Sequence, residues 1–165
     1  MTRIVVDQVE VFPFRRRGTL VEFLMLQRAR DDRLGGTWHA VHGSIEPGET
    51  AVQAALRELR EESGLTPLRF WQIDFVSTFF LADLDRVCLN PVFTAEIDPA
   101  AGVRLSGEHE GFRWVDAEHA PGEFMWPNQR RALREIMEEV ISAGLAEPYL
   151  RVPLAGDRSA PPQSG

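Results

Sequence analysis

Apolar side chains alternate with polar ones, or run together with β-branched and aromatic neighbours, in several separate stretches of the chain. A period of two residues is typical of strands that bury one face, and short apolar runs are typical of strands that bury both. The pattern therefore predicts four long strands and two short ones. The long strands are predicted at residues 4–14, 19–29, 69–81 and 86–97, and the short ones at residues 37–43 and 111–116.

Two further stretches follow the helical period of about 3.6 residues. Thr50 and Gln53 have the spacing of a capping box, and Gly64 is placed to end a helix in the left-handed conformation. Pro127 is predicted to begin a second helix, which ends near Gly144. Strands mixed with two amphipathic helices indicate an α/β (α+β) fold, in which a mixed sheet lies between helices in an α/β/α arrangement.

The chain has 165 residues, of which 44% are hydrophobic, and this is enough for one domain with a sizeable core. We assign residues 1–144 to this domain. The final segment, residues 145–165, loses the periodicity and is rich in Pro, Gly and Ser. We expect it to be a flexible tail, or to dock on the domain only through Tyr149 and Leu150.

The charge of the chain limits its partners. The formal net charge is -7, all 18 basic residues are arginine, and no basic stripe is present. This composition argues against a nucleic-acid partner, whereas a small anionic substrate stays compatible if a cation lies between it and the protein. The single cysteine, Cys88, excludes an internal disulfide and fits a reducing compartment. Because no apolar run approaches about 18 residues, we expect a cytoplasmic protein without a membrane partner.

The predicted helix at residues 50–64 carries three glutamates, Glu58, Glu61 and Glu62, near its C-terminal end. Carboxylates are disfavoured there, because the helix dipole is negative at the last turn and like charges three or four residues apart repel. At about 100° per residue, all three lie on one side of the helix, beside its apolar face. Oxygen ligands clustered in this way suit a hard divalent cation, Mg²⁺ or Mn²⁺. Since magnesium is commonly shared with substrate phosphates, the cluster predicts a polyphosphate substrate.

The stretch from Gly43 to Leu65, GSIEPGETAVQAALRELREESGL, resembles the Nudix box in its glycines, its glutamates and their spacing. The resemblance implies a Nudix hydrolase, an enzyme that cleaves a nucleoside diphosphate linked to another group and that uses Mg²⁺. It further implies that Glu58, Glu61 and Glu62 bind the metal, with the Gly43 carbonyl as a further ligand.

The same resemblance gives roles to two neighbours of these glutamates. Glu49 would hold the guanidinium of Arg57, which in turn would orient Glu58. We expect either Glu61 or Glu58 to act as the general base within the box.

Four segments are similar to one bacterial branch of the Nudix superfamily, the dATP pyrophosphohydrolases and dihydroneopterin triphosphate pyrophosphatases. They are FLMLQRA at 23–29, WHAVHGSIEPGE at 38–49, EHEGFRWVD at 108–116 and WPNQRRAL at 126–133. This similarity implies hydrolysis of a nucleoside or pterin triphosphate to the monophosphate and pyrophosphate. It also implies that Glu108 is a further catalytic glutamate, which binds a second metal or acts as the general base.

Six residues are candidate substrate contacts, and each has a structural alternative. Charged or polar candidates could instead form an ion pair with Asp31 or Asp32, bond to the backbone, or cap a helix; the aromatic ones could belong to the core. The candidates are Arg28, Trp38, His42, Phe79, Trp126 and Asn128.

Two other functions compete with the triphosphate hydrolase. The first is a sibling Nudix activity on dinucleoside polyphosphates, nucleotide sugars or capped RNA. The second is a Nudix-fold module that senses a nucleotide without cleaving it, which would be expected to lose a metal-binding glutamate. All the glutamates of the box are present. The oligomeric state stays open.

Overall fold

The computed structural model describes residues 1–32 and 34–156, and within them nine strands form one mixed sheet. The strands are β1 (Arg3–Val5), β2 (Gln8–Arg17), β3 (Leu20–Arg28), β4 (Trp38–His39), β5 (Val41–Ser44), β6 (Arg69–Leu81), β7 (Arg86–Ile97), β8 (His109–Asp116) and β9 (Arg151–Val152). The helices are α1 (Ala51–Ser63), α2 (Ala120–Glu123), α3 (Pro127–Glu135) and α4 (Glu147–Leu150). A 3₁₀ turn, Ala82–Leu84, joins β6 to β7, and a π-helical segment, Ile136–Ile141, continues α3.

The main path of the sheet runs in the order β4-β3-β2-β7-β6-β9. In addition, β1 pairs with β7, β5 pairs with β2, and β8 pairs with β3. The β1–β7 and β2–β7 pairs are parallel, and the other pairs are antiparallel. The predicted mixed sheet is therefore confirmed.

Each face of the sheet carries its own hydrophobic core, because successive strand residues point to opposite faces. On β2, Val11 belongs to the core that contains Leu59 of α1, whereas the next residue, Phe12, belongs to the core that contains Leu133 of α3. We call these the α1 face and the α3 face. The α/β/α arrangement that the sequence predicted is confirmed.

The predicted strand at 4–14 is divided in two, which differs from the prediction. β1 and β2 lie along the same edge of β7, but Arg3 pairs with Arg86 while Glu10 pairs with Val92, so the register slips by one residue between the two strands. The slip falls at residues 6 and 7. β2 also continues through Arg17 instead of turning at residues 15–18, since Arg15, Arg16 and Arg17 all pair with β3.

Helix α1 has the ends that the sequence predicted. The Thr50 side chain accepts from the Gln53 N–H, the Gln53 side chain accepts from the Thr50 N–H, and Gly64 adopts φ 70° at the C-cap. The apolar side of α1 is buried, with Ala55 and Leu59 fully covered by the sheet. None of the helices among the described residues is long and apolar enough to cross a membrane.

The segment after α3 packs on the domain over part of its length. Leu150 is buried in the core of the α3 face, Glu147 accepts a hydrogen bond from the Trp71 indole N–H at 2.7 Å, and β9 pairs with β6. Tyr149, expected to dock, is exposed, so the docking differs from the expectation. Residues 157–165 lie outside the described part, and there the flexible tail stays a prediction.

Truncating Leu150 tests this docking. We expect Leu150→Ala to lower the free energy of unfolding by about 2–4 kcal/mol, because a buried side chain is replaced by a cavity. The matched control, Tyr149→Ala, should change it by less than about 0.5 kcal/mol, since Tyr149 is exposed. Urea denaturation followed by circular dichroism measures both, and equal effects of the two variants would contradict the packing described.

Candidate active site

The end of β5 lies directly against α1, and Gly43 makes this approach feasible. A Cβ atom at position 43 would collide with the carboxylate of Glu58. One turn later on α1, Glu62 accepts a hydrogen bond from the His42 backbone N–H at 3.3 Å. Two glutamates of the helix are therefore held against the backbone of β5 at residues 42 and 43.

The guanidinium of Arg57 lies at the centre of the remaining box residues. Nε and Nη2 donate to the two carboxylate oxygens of Glu49 at 3.0 and 2.9 Å. Nη1 donates to Glu58 at 2.8 Å and to Glu61 at 2.9 Å, and Nη2 also donates to the Ser44 carbonyl at 2.7 Å. The arrangement of Glu49, Arg57 and Glu58 is the one that the sequence resemblance implied.

These contacts shift the pKa values of both Glu49 and Arg57. Hydrogen bonds from Arg57, and then from the Glu46 backbone N–H, hold the pKa of Glu49 below its usual range. The pKa of Arg57 is raised in turn, chiefly by its hydrogen bonds to Glu49. Glu49 is therefore ionised at neutral pH and Arg57 keeps its charge, which makes the pair a fixed support for Glu58.

The two glutamates that face β5 have raised pKa values for a different reason. Burial raises the pKa of Glu62 to about 8, and the charges of Glu58 and Glu108 add to the rise. Burial also raises the pKa of Glu58, against the hydrogen bond from Arg57. Carboxylates that repel one another at the edge of a core are stabilised in the ionised form by a cation.

The donor set fits a hard divalent ion, because it consists of carboxylate oxygens and the backbone beside Gly43, without a thiolate. Among residues 1–32 and 34–156, however, no three acidic, histidine or cysteine side chains converge into a complete metal-binding group. Glu58 and Glu61 form ion pairs with Arg57 instead, and Glu62 accepts a hydrogen bond from the backbone of β5. The Glu61 side chain is 58% exposed and is open to a ligand from solvent.

Glu108 reaches the site from the loop before β8. Its carbonyl accepts from the Ala29 N–H at 3.1 Å, which ties this loop to the end of β3. Its charge contributes to the raised pKa values of both Glu58 and Glu62, so its carboxylate lies on the same side as theirs. The glutamate outside the box therefore lies close enough to Glu58 and Glu62 for its charge to act on both.

Arg28 forms the ion pair that was its structural alternative, and its charge also acts on the residues of the site. Its Nη1 forms an ion pair with Asp32 at 2.7 Å. Its charge also lowers the pKa of Glu62 and of His42, which places the guanidinium near the carboxylates. A contact with a substrate phosphate stays a prediction.

The histidines beside the site have pKa values below their usual range, because burial disfavours the charged imidazolium. Burial lowers the pKa of His42 and of His39 to about 4, and it also lowers the pKa of His109. The rings of His39 and His109 lie 5.2 Å apart, and His109 Nδ1 lies 3.4 Å from the Ser106 hydroxyl. The His42 backbone N–H donates to Glu62, and a contact of its ring with substrate stays a prediction.

The other predicted substrate contacts lie on the α3 face. Trp38 is partly buried under the guanidinium of Arg113 at 4.1 Å. Phe79 on β6 is partly buried, and Trp126, just before α3, is about half exposed. Asn128 donates from Nδ2 to the Thr78 carbonyl at 2.7 Å and so fixes the start of α3 to β6.

Sequence reasoning missed a group of buried polar side chains on this face. Glu10, Ser77, Asn90 and Gln129 are all at most 5% exposed. Glu10 alternates with Val9 and Val11 and so had the pattern of a solvent-facing position, which gave no signal of its burial.

A family model described as the NUDIX domain matches residues 4–136. The chain belongs to the Nudix family. The family and the hydrolase class that the box predicted are therefore confirmed, and Nudix hydrolases generally use divalent metal ions. The roles of individual residues stay predictions.

Named relatives show the range of the family around this chain. It is 32% identical over 134 residues to the bis(5'-nucleosyl)-tetraphosphatase (asymmetrical) of Sus scrofa, a match that covers 74% of this chain and 86% of that protein. It is 36% identical over 115 residues, 68% of this chain, to a Myxococcus xanthus protein named octanoyltransferase, but spans only 31% of that protein's length. The E. coli dihydroneopterin triphosphate pyrophosphohydrolase structure matches with a TM-score of 0.65 and 25% identity, over 87% of this chain and 100% of that one.

Replacing Arg57 tests its role as the support of the carboxylates. We expect Arg57→Lys to weaken Mg²⁺ or Mn²⁺ binding by about 10- to 100-fold, because lysine cannot donate to Glu49 in the bidentate way and leaves Glu58 unsupported. Isothermal titration calorimetry with each metal measures the change. The control is Arg60→Lys, at an exposed position of the same helix, and an equal loss there would contradict the role.

The pKa of Glu62 makes the stability of the metal-free protein depend on pH. Its pKa is raised from 4.5 to about 8, so the folded state keeps a proton that the unfolded state releases, and stability is lost as pH rises through this window. As the pH rises from about 4.5 to about 8, we expect the free energy of unfolding of Glu62→Gln to increase by about 2–4 kcal/mol relative to that of the wild type. Urea denaturation in a chelator measures this difference. A trend of the same size in Glu118→Gln, at an exposed position, would contradict the assignment.

Proposed function

We propose that this chain is a Mg²⁺-dependent Nudix pyrophosphohydrolase that converts a nucleoside or pterin triphosphate to the monophosphate and pyrophosphate. The observation that carries the proposal is that Glu58 and Glu62 are held against the backbone of β5 at residues 42 and 43, where burial and the charge of Glu108 raise the pKa values of both. A divalent ion bound beside these carboxylates would neutralise the repulsion between them. The likeness to the dihydroneopterin triphosphate enzyme supports the choice of a triphosphate.

Each residue of the cluster then has a task. Glu58, Glu61, Glu62 and the Gly43 carbonyl would hold the metal, and Glu108 would hold a second ion or accept a proton. A divalent cation bound there supplies positive charge that neutralises the phosphate oxygens during attack by water.

The remaining steps belong to the protein's own side chains. Arg57, itself fixed by Glu49, keeps the Glu58 carboxylate facing Gly43 instead of solvent. Glu61 is the most exposed of the box carboxylates that Arg57 contacts, so it can meet an incoming water and accept its proton. The water oxygen forms a bond to the α-phosphorus, the bond from this phosphorus to the bridging oxygen breaks, and pyrophosphate leaves with that oxygen.

We infer the partners and the cellular compartment of the enzyme from the net charge and the cysteine content of the chain. A net charge of -7 without lysine suits a small phosphorylated substrate bound through a cation, and not a nucleic acid or an anionic membrane. The single, buried Cys88 suits the cytoplasm.

A second candidate is hydrolysis of a dinucleoside tetraphosphate. It is favoured by one observation, the 32% identity to the Sus scrofa tetraphosphatase over most of both chains. The carboxylate cluster would perform the same chemistry on that substrate, and the two candidates differ in what lies beyond the phosphates.

A product assay with Mg²⁺ separates these candidates. The panel comprises dATP, dGTP, dihydroneopterin triphosphate, ADP-ribose and diadenosine tetraphosphate, and both pyrophosphate and nucleotide products are measured. We expect pyrophosphate and a monophosphate from one triphosphate, at a rate well above the others. Turnover confined to diadenosine tetraphosphate would replace the first candidate by the second, and no turnover of any compound would refute both.

Single substitutions test the site itself. We expect Glu58→Gln, Glu61→Gln and Glu62→Gln each to lower kcat/KM by at least about 100-fold, because each removes a carboxylate from the metal or from the attacking water. Glu118→Gln, at an exposed position away from the cluster, serves as the control and should be unchanged. Full activity in all three box variants would refute the assignment.

A further inference from the structure

The far end of the sheet, where β1, β7 and the second half of β6 lie side by side, is apolar on its α1 face and open to solvent there. Helix α1 packs chiefly on β2 and β5, and within residues 1–32 and 34–156 the far end of this face stays uncovered. We call the side chains on it the outer patch. They are Ile4, Val76, Thr78, Phe80, Val87, Leu89 and Pro91.

The strand register places all seven side chains on the same face. Phe93 of β7 belongs to the core of the α1 face, so the residues two, four and six positions before it point the same way. Paired residues of neighbouring strands also share a face. The pairs give three rows across the strands: Ile4, Val87 and Phe80 in the first, Leu89 and Thr78 in the second, and Pro91 and Val76 in the third.

The outer patch has the composition of a covered surface but the exposure of an open one. Ile4 is 71% exposed, Phe80 55% and Val76 49%. A sheet face that meets water commonly carries polar side chains at alternate positions, whereas here the only polar group is the hydroxyl of Thr78. None of the seven residues is charged. This pattern is typical of strands that bury both faces, so it indicates a partner that packs on the outer patch.

A cleft of about 360 Å³ opens at one end of the outer patch. It is lined by Val76, Pro91 and Phe93 and by the first residues of α1, and it lies where the ladder between β6 and β7 is interrupted. The half-exposed ring of Phe80 lies at the other end of the patch, four residues further along β6. The patch therefore has an aromatic side chain at one end and a recess at the other.

These properties fit a second copy of the same chain. A contact about a twofold axis needs a surface that is complementary to itself, and a uniform apolar sheet face meets this need without matching charges or hydrogen bonds. Two sheets with the same twist also pack well face to face. Because each copy carries a net charge of -7, two copies repel each other except where their surfaces are uncharged, as the outer patch is.

The area of the outer patch is sufficient for such a contact. From the exposed fractions of its side chains, it offers on the order of 500 Å² per copy, or about 1,000 Å² for two copies, which reaches the lower limit of a specific interface. An interface of this size predicts a dimer that dissociates at low concentration.

We propose that the outer patch is the interface of a homodimer, in which two copies pack their sheets face to face about a twofold axis perpendicular to the strands. The axis passes beside Thr78 and Leu89, in the second row. The first row of one copy then lies on the third row of the other. Phe80 of each copy enters the cleft beside Val76 of the other copy, so that two aromatic side chains anchor the contact.

Sedimentation velocity of the full chain, at concentrations from about 1 to 100 µM, tests the proposal. We expect a dimer with a dissociation constant in the micromolar range. Phe80→Asp should weaken it by at least about 100-fold, since it removes the anchor and buries a charge in an apolar contact. The matched control is Leu145→Asp, at a 97% exposed apolar position outside the patch, which should leave the dissociation constant unchanged.

Three results would overturn the proposal: a wild type that stays monomeric at about 100 µM, an unchanged dimer in Phe80→Asp, or an equal loss in Leu145→Asp. A monomeric wild type would leave the outer patch to a partner of another kind. Urea denaturation shows whether Phe80→Asp is folded. Val76→Asp, at the other end of the patch, repeats the test at a second position and should weaken the dimer as well.

A crosslink checks the position of the axis. Thr78 of the two copies face each other across sheets that pack about 10 Å apart, a distance too long for a disulfide but within reach of a short bis-maleimide. We expect Thr78→Cys to give a covalent dimer with this reagent, and Leu145→Cys and the wild type, whose Cys88 is buried, to give none. A dimer in solution that Thr78→Cys does not crosslink would place the contact elsewhere and overturn the proposal.

Discussion

The guanidinium of Arg57 is the interaction on which the candidate site depends. It joins three parts of the chain that are otherwise separate: the turn before α1 through Glu49, the end of β5 through the Ser44 carbonyl, and α1 itself through Glu58 and Glu61. A planar group with five N–H donors can satisfy all of these at once, and an ammonium cannot. Because one cation sets the positions of these carboxylates, the site has a defined geometry before any ligand arrives.

Much of this region could be predicted from the sequence, because its determinants are local. The capping box at Thr50 and Gln53 and the left-handed Gly64 fix both ends of α1 within the helix's own residues. The spacing of Glu58 and Glu62 then places both on one side of the helix, whatever the rest of the fold does. The closeness of Gly43 to Glu58 followed only from the family resemblance, since it joins a strand to a helix.

What the sequence did not predict depends on partners far along the chain. The division of the first strand arises from a slip of register against β7, and nothing in residues 3–14 specifies that slip. The exposure of Tyr149 and the burial of Leu150 depend on which side of a short helix meets β6. Glu10 and Asn90 looked like ordinary polar interruptions of strands, and only the pairing of three strands shows that they share one buried region.

The irregular stretch of β6 has a consequence for how copies of this chain meet. β9 pairs only with Phe70 and Trp71, so the outer edge of β6 continues beyond its partner. The ladder to β7 is interrupted between Gln72 and Val76, and Asp74 within the interruption is exposed. A kinked edge that carries a charge is a poor template for another strand. This irregularity in β6 therefore makes it unfavourable for a second molecule to add a strand at this edge. An uninterrupted edge would favour such pairing.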